Sequence, residues 1–139
     1  MSCVLRIEGK LFRVDEFLAE SKLNPYNIYR LGDVSKFDKT GKSQSETSGC
    51  SFDLSKADFS DFDQQIKDSI NFLNKNYNEL KSVFSFGLKK DEIPVIDFGI
   101  ESRMHEVEVQ CDYLEPELLK LAGNLNFGIE ISQYHTSEH

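Results

Sequence analysis

Five stretches of the chain alternate between apolar and polar residues, which is the pattern of a strand with one buried face. They cover residues 3–7, 50–54, 96–100, 107–111 and 127–131. A shorter extended piece is predicted at residues 26–31, between the break at Asn24-Pro25 and the turn at Gly32-Asp33. Few polar residues separate the stretches 96–100 and 107–111, so these two are predicted to form a hairpin.

Three stretches have the spacing of helices. A short helix is predicted over residues 14–21, where Asp15 and Glu16 suit the positive end of the helix dipole. The strongest helical periodicity runs from Phe62 to Leu80, with Ser60 as the predicted N-cap and a possible interruption at residues 74–78. The third helix begins near Pro116 and is expected to end at Gly123-Asn124.

These elements predict an α+β fold with a largely antiparallel sheet and helices packed on one face, because most strands are apolar on one side only. The strand and helix order at residues 3–31 is repeated at residues 106–131, and this repetition also allows two ferredoxin-like halves. The length of 139 residues is that of a single domain over residues 1–139. A flexible polar loop is expected near residues 33–48 and a frayed tail at residues 134–139.

The composition predicts a cytoplasmic protein. No apolar run is long enough for a membrane span, and the first residues alternate like a strand rather than a signal peptide. The three cysteines are an odd number without close spacing, which fits neither a disulfide framework nor a metal site. Cys3, Cys50 and Cys111 all fall on apolar strand positions, so burial in the core is expected.

The chain is acidic, with a net charge of −8 that is unevenly distributed. Residues 1–56 carry 9 basic and 8 acidic side chains, whereas residues 57–139 carry 7 and 16. Such a surface repels phosphate groups, so neither nucleic acid nor an anionic membrane is an expected partner. A basic protein is an expected partner.

No motif for enzymatic chemistry or a cofactor is present. The T-G-K-S at residues 40–43 lacks the upstream glycine and the following helix of a phosphate-binding loop. The acids Asp58, Asp61 and Asp63 lack the glycine and glutamate of a calcium loop and are expected to cap a helix instead. His105 and Cys111 lie about 20 Å apart on one strand, too far for a catalytic dyad. We therefore expect no enzyme activity, no cofactor and no bound metal.

The remaining candidate is a surface. If the apolar positions face the helices, the other side of the sheet carries a group of carboxylates with Arg6 as the main counter-charge. The residues expected to bind a partner are the acids Asp97, Glu106, Glu108 and Glu130 and the aromatic anchors Tyr26, Tyr29 and Phe37. Asp53 and Glu8 are expected beside the acids.

Four segments carry a resemblance to a known family. They are C-V-L-R-I-E-G, D-E-F-L-A-E-S-K-L-N-P-Y-N-I-Y-R-L-G-D, S-G-C-S-F-D-L and L-E-P-E-L-L-K-L-A, and together they span nearly the whole chain. With these segments the chain resembles the bacterial family of unknown function 4279. The resemblance implies no known activity, so no functional residue is transferred.

Two functions remain open at this point. The first is a non-enzymatic domain that binds a basic protein, similar in size and charge to bacterial immunity proteins that neutralise toxins. The alternative is a small-molecule sensor or enzyme with a pocket between the long helix and the sheet. A homodimer formed through the sheet edge or face is compatible with either.

Overall fold

The computed structural model of the protein describes residues 1–34, 40 and 43–135, and it has the expected α+β architecture. The strands are β1 (Cys3–Gly9), β2 (Asn27–Tyr29), β3 (Ser48–Ser55), β4 (Val95–Glu101) and β5 (Gly128–Tyr134). The helices are α1 (Val14–Ser21), α2 (Phe62–Lys75), α3 (Tyr77–Lys81) and α4 (Pro116–Leu125), with a 3₁₀ helix at Ser82–Phe86. Within the described residues, no helix has the length and apolar character needed to cross a bilayer.

The five strands form one sheet in the order β2-β3-β1-β4-β5. All neighbouring pairs are antiparallel except β4 and β5, which run parallel. The first four strands, with α1 between β1 and β2 and α2 between β3 and β4, have the βαββαβ order of a ferredoxin-like fold. The chain therefore contains one ferredoxin-like unit extended by α4 and β5, and not two ferredoxin-like halves.

The core lies between the sheet and the helices. Cys3, Leu5 and Ile7 of β1 point towards the helices and are fully buried, as the alternation predicts. Fully buried residues of α2, including Ile66 and Leu73, pack against this side of the sheet. The opposite side of the sheet carries the polar residues of the alternation and is called the open face below.

Local signals explain where the helices begin and end. The first helix has the predicted bounds, with Asp15 and Glu16 in its first turn. The second begins one residue later than expected, because Asp61 rather than Ser60 is the N-cap and accepts a hydrogen bond from the Gln64 N–H (3.2 Å). After the break at Asn76, the 3₁₀ helix ends at Gly87, whose φ of 95° favours glycine.

The hairpin predicted between residues 96–100 and 107–111 is not formed. Both edges of β4 are already occupied, by β1 on one side and by β5 on the other, so no position is left for another strand. Residues 102–115 instead form an irregular loop, the acidic loop below, in which Val107, Val109 and Cys111 are exposed. The prediction that Cys111 is buried was therefore wrong, whereas Cys3 and Cys50 are buried as expected.

The predicted polar loop is closed at its base. The Gly32 N–H donates to Ser45 O (2.8 Å), the Ser45 N–H donates to Asp33 O (2.8 Å), and Val34 forms a bridge with Gln44. Thr40 and residues 43–48 lie within the described part of the chain. The other T-G-K-S positions and Phe37 lie outside the described residues.

Candidate partner-binding surface

The open face is built from alternate residues of all five strands. The antiparallel register places Arg6 beside Ser51 and Val95, and it places Val4 between Asp53 and Asp97. The parallel register then sets Glu130 beside Asp97. The carboxylates of the open face are Glu8, Asp53, Asp97, Glu101 and Glu130. Arg6 is the one cation among the strand residues that the structure describes, so this face carries excess negative charge.

Arg6 lies at the centre and joins two strands electrostatically. Its Nη1 donates to Asp97 Oδ2 (2.7 Å) and its Nη2 donates to Glu130 Oε2 (3.0 Å). The hydrogen bond and charge of Asp97, together with the charge of Glu130, raise the pKa of Arg6 above its ordinary value against the opposing effect of burial. Ser132 Oγ donates to Asp97 Oδ1 (2.7 Å), which completes the coordination of that carboxylate. The charged groups of this centre therefore have hydrogen-bond partners, but one guanidinium faces two carboxylates and a net negative charge remains.

A second polar group lies near the β2 edge. The Tyr29 hydroxyl donates a hydrogen bond to Glu8 Oε2, and Thr47 Oγ1 donates to the same oxygen (3.4 Å). Gly49 lies opposite both residues, and a Cβ at this position would come within 2.5 Å of the Tyr29 hydroxyl. Burial and the neighbouring Glu8 raise the pKa of Tyr29, so its hydroxyl remains a neutral donor at neutral pH.

Asp53 differs from the other carboxylates of the open face. It is half-buried in β3, and its Oδ1 is buried without a hydrogen-bond partner among the described residues. An unpaired buried oxygen is costly to desolvate. The carboxylate therefore adds negative charge to the centre of the sheet without a local donor to balance it.

The structure confirms the position of several predicted residues. Asp97, Glu130, Asp53 and Glu8 lie on the open face, and so does Tyr29. Tyr26 is exposed just before β2, where its N–H donates to Ser51 O (2.9 Å). These residues come together because the antiparallel register of β2, β3, β1 and β4 places alternate side chains on one side.

Glu106 and Glu108 were predicted on the open face, and this was wrong because they belong to the acidic loop. That loop is held by its own contacts. The Ser102 N–H donates to Tyr134 O (2.9 Å), the Arg103 N–H donates to Gln110 Oε1 (2.6 Å), and Gln110 Nε2 donates to Glu101 O (3.2 Å). Both glutamates remain exposed, five and seven residues after the end of β4.

Two contacts of the open face could not be predicted from the sequence, because they depend on which strands are neighbours in the sheet. Arg6 was identified as a counter-charge, but its bridge to Glu130 exists only because β5 pairs with β4 in parallel. The contact between Tyr29 and Glu8 likewise requires β3 to lie between β2 and β1. The only signal in the sequence is that each residue occupies a polar position of an alternating strand.

No group of three or more histidine, cysteine or acidic residues suited to a metal ion occurs among the described residues. Burial raises the pKa of both Cys3 and Cys50 to about 12, so neither thiol is a nucleophile at neutral pH. His105 Nε2 lies 3.2 Å from Glu106 Oε1 on the exposed loop. The arrangement is suited to electrostatic contact with a macromolecule.

The space between α2 and the sheet is filled by side chains. Ile66, Ile70 and Leu73 of α2 are buried there, and the Phe62 ring packs edge-on against Phe98 of β4 at 5.4 Å between centroids. A depression of about 680 Å³ lies instead at the base of the polar loop, where Lys10, Leu31 and Thr47 contribute to its lining.

The family model described as "Domain of unknown function (DUF4279)" matches residues 1–136, which is nearly the whole chain. No curated protein and no solved structure matches the chain.

Proposed function

The chain belongs to the DUF4279 family, and from its surface we propose that it is a non-enzymatic domain that binds a basic protein. More specifically, we propose an immunity-type protein of bacteria, which neutralises a basic toxin or effector in the cytoplasm. The observation that carries the proposal is the excess of carboxylates over cations on the open face, where Arg6 alone serves both Asp97 and Glu130. A basic partner would supply the missing positive charge.

The acidic loop, which follows the end of β4, is the second part of the proposed binding surface. It presents Glu106 and Glu108 together with Val107 and Val109, and the Val109 side chain is 70% exposed. Exposed apolar residues flanked by acids fit a partner surface with apolar contacts inside a basic rim. Tyr26 and Tyr29 at the β2 edge offer aromatic contact area of the kind found at binding hot spots.

The proposal predicts how binding depends on charge. Rim carboxylates mainly accelerate association, so reversing their charge slows association, and added salt weakens the complex. Residues such as Glu106 and Glu108 are suited to this test because they are exposed and outside the core. Their replacement therefore leaves the fold intact.

The experiment has two steps. Affinity capture of the tagged protein from its native cells, washed at low and then moderate salt, supplies candidate basic partners for purification. The association rate with the purified partner is then measured for the wild type and for Glu106→Lys/Glu108→Lys. The matched control is Glu16→Lys/Glu20→Lys on α1, which makes the same change of charge on the helical side.

We expect the loop variant to slow association at least tenfold at low salt, with a much smaller effect of the control. Equal effects of both variants would show that only net charge matters. No effect of the loop variant would exclude the acidic loop from the binding site, and binding that is insensitive to salt would exclude an electrostatic role for the open face. The alternative of a small-molecule site beneath α2 has no comparable support, because that space is filled by Ile66, Ile70 and Leu73.

A further inference from the structure

The strand β5 leaves one edge of the sheet free. Its seven residues pair with β4 on one side, and nothing in the described part of the chain pairs with the other. The opposite edge strand, β2, has only three residues. Long free edges are usually protected by charged side chains, proline or a bulge. Within Gly128–Tyr134 the one charged residue is Glu130, which is already paired with Arg6, and the strand has neither a proline nor a shift of register.

The hydrogen-bonding groups at this free edge can be assigned from the register. The Gly128 N–H donates to Pro94 O (2.8 Å), and Tyr134 O accepts from the Ser102 N–H. Even-numbered residues of β5 therefore direct their backbone groups towards β4. Ile129, Ile131 and Gln133 direct their N–H and C=O groups outwards.

One side of the helix α4, which carries the exposed apolar residue Leu119, lies next to the free edge of β5. Asn74 of α2 donates to Glu117 Oε1 (3.4 Å), which shows that the Glu117 side of α4 faces α2. Leu119 and Gly123 lie on the opposite side of the helix, above the free edge. Leu119 is 48% exposed, and a Cβ at Gly123 would meet no atom within 4 Å.

Leu119 also lies level with the middle of β5. Because α4 runs antiparallel to β5, Leu119 lies about 9 Å back along the helix from Leu125. Ile131 lies about 10 Å along the strand from Gly128. The exposed side chains of Leu119 and Ile131 (38% exposed) are therefore placed at the same level along the edge, beside the unpaired backbone groups.

From this geometry we propose that β5 pairs with β5 of a second copy of this chain, antiparallel about a two-fold axis through Ile131. The two Ile131 residues then exchange both backbone hydrogen bonds, and Ile129 does so with the partner's Gln133. All outward backbone groups of Ile129, Ile131 and Gln133 are satisfied. The product is a continuous sheet of ten strands with the two α4 helices side by side.

The side chains of β5 are complementary in this register. Glu130 lies opposite the partner's Ser132 rather than opposite a second Glu130, and its charge is already offset by Arg6 of its own chain. Gly128 lies opposite the partner's Tyr134, whose ring is 54% exposed and can cover the glycine. On the helix side, Ile131 meets Ile131 and the two Leu119 side chains adjoin them.

Disulfide formation tests both the partner and the register. In a Cys111→Ser background, Ile131→Cys places two thiols directly across the axis, with Cα atoms about 5.5 Å apart and within the range for a disulfide. Gln133→Cys is the matched control, since the two copies of residue 133 lie about 13 Å apart along the strands in this register. We expect oxidation to give a covalent dimer for Ile131→Cys and a monomer for Gln133→Cys.

Sedimentation equilibrium over a wide range of concentration measures the same contact without cysteines. We expect a dimer whose dissociation constant rises at least tenfold in Ile131→Lys and in Leu119→Lys, and is unchanged in Val109→Lys. Added salt strengthens this dimer because each copy carries a net charge of −8, whereas it weakens the complex with a basic partner. A monomer at every concentration, a dimer insensitive to both lysine variants, or equal crosslinking at residues 131 and 133 would overturn the proposal.

Discussion

The side chain of Arg6 connects two carboxylates of the open face. Its guanidinium bridges Asp97, whose side chain is only 14% exposed, and Glu130 on the next strand. The planar guanidinium group of arginine can donate hydrogen bonds to two carboxylates at once, whereas the ammonium group of lysine acts as a single point charge. The geometry therefore requires arginine specifically.

Replacing Arg6 tests this conclusion. We expect Arg6→Ala to lower the free energy of unfolding by about 1–3 kcal/mol, because Asp97 keeps its partly buried charge but loses its main donor. Arg6→Lys should restore only part of that loss. The control is Arg13→Ala, which removes an exposed pair with Glu16 (3.1 Å) and an exposed hydrogen bond to Ser85 O (3.0 Å), and it should cost about 1 kcal/mol or less. Urea denaturation measures all three, and equal losses for Arg6→Ala and Arg13→Ala would contradict the central role of Arg6.

Glu92 is a single residue whose contribution to the stability of the fold depends on pH. Its carboxylate accepts backbone hydrogen bonds from Lys89 (2.8 Å) and Lys10 (2.7 Å), which tie the loop before β4 to the end of β1. These bonds lower the pKa of Glu92 below its ordinary value. A lowered pKa means that the carboxylate stabilises the fold above the ordinary glutamate pKa of about 4.3, and that this contribution is lost as the pH falls through the folded value.

We therefore expect Glu92→Gln to melt at a lower temperature than the wild type at pH 7. The gap should narrow as the pH falls below about 4.3, because the unfolded chain then takes up a proton first, and it should close below the folded pKa, where the folded carboxylate is also neutral. Thermal melts by circular dichroism at a series of pH values measure this gap. Asp91→Asn, at the exposed neighbouring position, is the control, and a gap that stays constant with pH would refute the assignment.

At the scale of whole elements, the hydrophobic periodicity predicted where helices and strands could form, but it did not predict which strands are neighbours in the sheet. The predicted bounds of α1 were correct because acids at its start and a break after it are both local signals. The alternation at residues 107–111 indicates which side chains share a face if a strand forms. It does not reveal that β1 and β5 already occupy both edges of β4. For the same reason the open face could be predicted at Asp97 and Glu130 but not at Glu106 and Glu108.

The same substitution, valine to alanine, can be compared at a buried position and in the acidic loop. Val83→Ala, at a fully buried position of the 3₁₀ helix, should cost about 1.5–3 kcal/mol. Val109→Ala, in the exposed loop, should change stability by less than about 0.5 kcal/mol. If the two changes were equally costly in chemical denaturation, Val109 would have to be part of a core.

At the scale of the whole molecule, the charge of −8 opposes folding through self-repulsion, since the acidic side chains are concentrated after residue 56. We expect the melting temperature to rise as sodium chloride is added, because salt screens this repulsion. The rise should be smaller in Glu106→Lys/Glu108→Lys, which changes the net charge from −8 to −4. A melting temperature that falls with salt would mean that attractive ion pairs dominate the surface.

The central position of β1 has a further consequence for how the chain is made. This strand is synthesised before the other four strands, yet its two neighbours are β3 and β4, and β4 ends only at Glu101. In a growing chain, one edge of β1 therefore stays without its final neighbour until Glu101 has been translated. The pairing of β1 with β4 links the beginning of the chain to a distant segment, so closing the sheet is expected to be a slow and late step of folding.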